Sequence, residues 1–212
     1  MIRDLIAKHK NQWTQKEFIN STAFGAIFLI TSFFINYGAS VFATRKASNG
    51  VADLILDNIP VMNVGDLFVY GGVTIFIFGF IVLLCEPKYF PFTLKSIALF
   101  ILIRSIFITL THIGLYPELA PLPDSRLIGK VFFGGDLFFS GHTGMPFLMA
   151  LIFWKQFRLR ITFIAISIIF GILVLLGHYH YSIDVAAAFF ITYSIFEISK
   201  KLFPKSYKLI SE

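Results

Sequence analysis

The stretch GHYHYSIDVAAAFF, Gly177 to Phe190, decides how the rest of the chain is read. It is a short polar knot set between two strongly apolar runs, ITFIAISIIFGILVLLG (161–177) and IDVAAAFFITYSIF (183–196). If the second run is helical from about His180, His180 and Asp184 are four residues apart and share one face. An aspartate there accepts the Nδ1 proton of the imidazole, fixes its tautomer and leaves Nε2 with its lone pair. A His–Asp pair at the edge of a membrane-grade helix is costly to keep and points to function. The plainer reading is a helix-capping histidine beside a solvated aspartate.

Working outward, composition sets the class. Of 212 residues, 57% are hydrophobic and only 14% charged, against about 25% charged in a soluble domain. The expected fold is all-α, an integral membrane bundle of six transmembrane helices, at 18–42, 67–85, 96–115, 137–154, 161–177 and 183–198. Residues 1–17 form an amphipathic N-terminal segment, 18–199 the membrane domain and 200–212 a basic tail. Ile2, Leu5, Ile6, His9 and Trp13 share one face, which suits a helix lying on the membrane surface or an amphipathic soluble one. No cleavable signal peptide is expected, because residues 1–17 are too polar. Cys85 is the only cysteine, so there is no internal disulfide.

The net charge of +6 lies beside apolar spans, which excludes a nucleic-acid footprint and reads as membrane orientation. Thirteen lysines and arginines fall at the termini and in the 86–95 and 155–160 turns. Four (Arg45, Lys46, Arg126 and Lys130) fall in the opposite loops. Both termini are therefore expected to be cytoplasmic, with the His–Asp knot on the other face. Arg104 stands apart, about 13 Å into the third span. Such an arginine costs about 2.5–3.5 kcal/mol to insert, so it faces protein, water or an anion. A structural ion pair and a phosphate anchor both fit; the forked guanidinium suits the second. Thr111 and His112 share its face.

GGDLFFSGHTG, Gly134 to Gly144, is the second polar knot. Ser140, Gly141, His142 and Thr143 fall where the fourth helix begins, and a helix start is an anion site. Pro146 favours Thr143 as the cap, since proline is tolerated in the first turn. Asp136, just upstream, can orient a histidine. SGHT alone is a common helix entry. Together with the His–Asp knot and Arg104, it makes the set that phosphoryl transfer through a covalent phosphohistidine needs.

FSGHT followed about forty residues later by HYxxD resembles the type 2 phosphatidic acid phosphatase superfamily of integral membrane enzymes. GDLFFSGHT, with one extra residue, and HYHYSIDV followed by AAAFFITY are most similar to its sphingomyelin synthase branch. RSIFITLTHIGLYP, from Arg104, loosely resembles that branch's arginine-bearing third span. The resemblance implies that His180, aligned by Asp184, attacks phosphorus, while His142 protonates the leaving oxygen and later activates the acceptor. Arg104, Ser140, Gly141, Thr143, Asp136, His178 and Tyr181 are the candidate substrate contacts. It implies no metal and no cofactor. The implied donor is a phospholipid and the acceptor a lipid alcohol, such as ceramide or diacylglycerol, or water; a homo-oligomer is left open. The sequence departs from the superfamily's Lys, six residues, Arg-Pro signature. Leu173 and Val174 also stand where a Ser-Arg pair is expected. Those cations hold a phosphomonoester dianion, so a phosphodiester monoanion is the better electrostatic match here. Other readings are a lipid phosphate phosphatase, a small transporter or lipid flippase, and a metal site built from His112, His142, His178 and His180. Asp53 and Asp57, on one helical face of the first outer loop, are either solvated carboxylates or headgroup contacts.

Overall fold

The computed structural model describes residues 2–123 and 137–211, and among these the chain is helical with no strand. Eight α-helices follow in order: α1 (Ile2–Trp13), α2 (Lys16–Lys46), α3 (Gly65–Cys85), α4 (Phe90–Leu110), α5 (Gly141–Ile152), α6 (Phe157–Leu176), α7 (Ser182–Leu202) and α8 (Pro204–Ser211). Among the described residues, five helices are long and apolar enough to cross a membrane: α2, α3, α4 with its leading turn from Pro87, α6 and α7. Where a fourth span was expected, α5 has 12 residues, about 18 Å of helix against a hydrocarbon core of about 30 Å.

The helices pack as membrane helices do. α2 lies chiefly on α4, and its buried positions are mostly small or polar: Thr22, Gly25, Ser32 and Ala43 beside Phe18. A Cβ at Gly25 would sit 3.1 Å from Leu94 Cβ, so glycine sets that approach. Small residues let backbones come close where no water is available to drive association. The large apolar side chains point the other way: Phe34, Phe76 and Phe190 are each more than 70% exposed. That is the pattern of a bundle facing acyl chains.

α5 is the innermost element, packed between α6 and α7 and touching α4. Leu148 to Phe153 are all buried. A Cβ at Gly144 would stand 2.8 Å from Thr192 Oγ1 and 2.9 Å from the Phe100 ring, so glycine alone fits that crossing.

The bounds of the third span are revised at both ends. The third span begins at the Pro87 turn rather than near residue 96, because Pro91 fits the first turn of α4, where its missing N–H is an orphan anyway. Lys95 is therefore inside the bundle and 7% exposed, not in a loop. α4 ends at Leu110, so Arg104 lies about 9 Å from that end, and Thr111 and His112 lie beyond the helix rather than on its face. Within the basic tail, α8 buries Ser206 and Ile210.

Candidate active site

The two polar knots meet at one end of the bundle. Their junction is a backbone hydrogen bond, Ser140 N–H to the Asp184 carbonyl, at 3.1 Å. It joins the entry of α5 to the first turn of α7.

The His–Asp pair forms, but by a different construction from a shared helical face. α7 begins at Ser182, with Tyr181 as N-cap, so His180 precedes the helix. Asp184 is the third helical residue, and its Oδ2 turns back to accept the Tyr181 N–H at 3.0 Å. This is half of a capping box. The same oxygen lies 3.3 Å from His180 Nδ1. His180 is 7% exposed and Asp184 fully buried, so the contact is shielded from water. With Asp184 ionised, Nδ1–H donates to it and Nε2 keeps its lone pair. His178 turns the chain into this arrangement with φ 56°, the left-handed region that a β-carbon disfavours. Its Nδ1 lies 3.1 Å from the Glu118 carbonyl, and its ring is edge-on to Tyr116.

On the α5 side, the N-cap is Ser140, whose Oγ accepts the Thr143 N–H at 3.4 Å and the Thr143 hydroxyl at 3.1 Å. The expectation that Thr143 caps is corrected: Pro146 lies inside the helix, beyond its first turn. Pro146 leaves the His142 carbonyl without its helical donor, and the neighbouring Thr143 carbonyl accepts the Ser167 hydroxyl at 2.6 Å. His142, half-buried, stands in an aromatic slot. Phe68 is 4.4 Å away centroid to centroid and Phe170 stacks at 6.1 Å. A Cβ at Gly72 would be 3.6 Å from its Nε2. His180 and Arg104 both lie within electrostatic reach of His142. Arg104 donates from Nε to the Phe139 carbonyl at 2.8 Å, and a Cβ at Gly141 would come within 3.6 Å of that Nε. The guanidinium thus lies across the start of α5.

The structure therefore brings together His142, His180, Asp184, Arg104, Ser140, Gly141 and Thr143. Asp136 lies outside the described residues. Tyr181 is a brace by geometry: it is buried, its hydroxyl donates to the Gly114 carbonyl at 2.8 Å and it accepts the Val51 N–H at 3.2 Å. Asp53 and Asp57 do not share a helical face and are not merely solvated. Only a short turn, Leu56–Asn58, forms there. Asp53 is buried against Ser182, and Asp57 Oδ1 accepts the Tyr116 hydroxyl at 2.7 Å. That bond pushes the Tyr116 phenol up to about 12. Leu173 and Val174 are core residues. Among the described residues no cluster of three or more His, Cys, Asp or Glu is arranged to hold a metal ion. Sequence reasoning missed the slot of Phe68, Gly72 and Phe170 around His142; the Gly71–Gly72 pair in an otherwise bulky span was its signal.

No curated protein and no solved structure matches the chain. Residues 134–201, about a third of the chain, match the family model described as PAP2 superfamily C-terminal. That segment contains His142, His180 and Asp184 and is similar to the C-terminal part of that superfamily.

Proposed function

We propose that the chain is a membrane-embedded phospholipid headgroup phosphotransferase, of the sphingomyelin synthase-like kind, working without a metal. The observation that carries this reading is the His180–Asp184 contact of 3.3 Å, tied by the Ser140–Asp184 main-chain bond to the segment that bears His142. His180 Nε2 attacks phosphorus and an N–P bond forms. The P–O bond to diacylglycerol breaks, and His142 gives its proton to the departing alkoxide. A lipid alcohol or water then loses its proton to His142 and attacks phosphorus. The N–P bond breaks and both histidines return to their starting state. Arg104 and the N–H groups at the start of α5 hold the phosphoryl oxygens, where charge builds.

The chain crosses the membrane six times, with α5 and the stretch leading into it making the fourth passage. Both termini are cytoplasmic, following the lysine and arginine bias, and the site opens on the non-cytoplasmic face. Lipid enters sideways between α4, α5 and α7.

A lipid phosphate phosphatase is the second reading, favoured by the match of residues 134–201. Against it stand Leu173 and Val174, buried and uncharged where a dianion would need cations. Incubating the purified chain with headgroup-labelled phosphatidylcholine, phosphatidylethanolamine and phosphatidic acid, with and without ceramide, decides between them. Transfer to ceramide, or release of phosphorylated headgroup, supports the proposal. Inorganic phosphate released from phosphatidic acid alone supports the phosphatase. No phospholipid turnover by any of these substrates removes both.

A further inference from the structure

The carboxylate of Asp53 accepts four hydrogen bonds from two distant parts of the chain. Oδ1 takes the N–H groups of Ile55 and Leu56 at 2.9 and 3.1 Å. Oδ2 takes the Ser182 N–H at 2.7 Å and the Ser182 hydroxyl at 2.9 Å. A carboxylate offers about four acceptor sites, so none is left for a ligand's donors. Ser182 opens α7, and its N–H is one of the helix's orphan donors, at the positive end of the dipole. His180 lies two residues before it and Asp184 two after.

The surrounding chain is built around this contact. Asp57 Oδ2 accepts the Asp53 N–H at 3.1 Å, while its Oδ1 holds Tyr116. Tyr181 reaches back to Val51 and Gly114. Ser48 N–H and hydroxyl both donate to the His112 carbonyl, at 2.8 and 2.7 Å. A Cβ on Gly114 would meet the Ser48 carbonyl at 2.1 Å, so the two loops run backbone against backbone there. His180 has no helix of its own to fix it. Its ring lies against the cap of α7, and Asp53 holds Ser182, the residue inside that cap.

We propose that Asp53 is a positioning residue for the His180–Asp184 pair. By fixing Ser182 and, through it, the Tyr181–Asp184 cap, it holds the imidazole in the Nδ1–H tautomer with Nε2 toward the substrate. It touches no reacting atom. The positioning is a statement about the fold; its effect on turnover rests on the proposed function.

The test uses the full chain in nanodiscs of phosphatidylcholine and phosphatidylethanolamine, as wild type, Asp53→Asn and Ser182→Ala. A fluorescent short-chain phospholipid reads kcat and KM. Solid-state NMR of chain labelled with ¹⁵N-histidine reads the His180 tautomer, assigned by its loss in His180→Ala. The wild type is expected to show one Nδ1–H tautomer. Asp53→Asn is expected to show a mixture, with kcat down about 10²-fold, the scale of a 1 Å misplacement, and KM within about twofold. Ser182→Ala keeps the main-chain bond and is expected to lie between, so it still reads the effect if Asp53→Asn does not fold. A single unchanged tautomer in the variants overturns the proposal, as does a wild-type kcat in Asp53→Asn. If the wild type itself turns over no phospholipid, the proposed function falls while the tautomer still decides the positioning claim.

Discussion

Asp184 reaches His180 because it is already turned back to cap its own helix. One oxygen, Oδ2, serves both the Tyr181 N–H at 3.0 Å and the imidazole at 3.3 Å. The orienting carboxylate is thereby fixed by main-chain geometry before any substrate arrives. Asp184→Asn keeps the cap's shape but replaces the charge. It should lower kcat by about 10²–10⁴-fold, the usual worth of a placed proton-transfer group, while KM changes little. His180→Ala should abolish the acid-labile phosphorylated form of the protein, read by trapping with ³²P-labelled lipid and quenching in alkali. Retention of that form would remove the nucleophile assignment.

Arg104 is expected to act in binding more than in proton transfer. A guanidinium bonded to the Phe139 carbonyl through Nε keeps its terminal nitrogens in a set plane, and lysine cannot reproduce that fork. A charge-assisted hydrogen bond is worth about 1.5–3 kcal/mol. Arg104→Lys should therefore weaken binding of a non-reacting phosphodiester analogue by roughly ten- to a hundredfold. Equal affinity for the two proteins would leave Arg104 a structural role only.

Acid should loosen the loop clamp in a defined window. Burial pushes the Asp53 carboxyl up, and the hydrogen bonds from Ser182, Leu56 and Ile55 outweigh it, leaving it below its ordinary value of 3.8. A group with a lowered native value contributes stability above its unfolded value and loses it as pH falls through the native one. The clamp should therefore hold at neutral pH and open only below about 3.8. Amide hydrogen exchange in residues 48–57 should accelerate there in the wild type. Asp53→Asn should exchange fast at every pH.

At the opposite end of the bundle Lys95 is buried without a carboxylate among the described residues. Its Nζ donates to Ser21 Oγ at 2.6 Å and Ser206 Oγ at 2.8 Å, between the rings of Phe24 and Phe203. Removing a partner from a buried charge is worse than removing the charge. Ser206→Ala should therefore destabilise the protein more than Lys95→Met, by roughly 1–3 kcal/mol. The thermal midpoint and the rate of tryptic cleavage at Lys205 and Lys208 should both show that order.

Much of this was legible in the residues. Apolar run lengths gave the long helices, and the SGHT and HYHYSID strings named most of the side chains that converge. The bounds of α5 were not legible in run length, because they are set by the Ser140 cap and by close packing at Gly144 rather than by hydropathy. Lys95 read as a loop charge, since a lysine satisfied by two serine hydroxyls leaves no pattern along the chain. Asp53 read as solvent or headgroup contact, because its partner Ser182 is 129 residues away. Long-range polar pairs of this kind leave no local periodicity.

The Ser140 N–H to Asp184 carbonyl bond is made by main chain at both ends. No substitution other than proline at 140 deletes its donor. The separation of the two histidine-bearing segments is thus largely insulated from mutation of the side chains that line the pocket. For the proposed headgroup transfer, variants of this scaffold can change which headgroup they accept without having to rebuild the distance over which phosphorus is handed on.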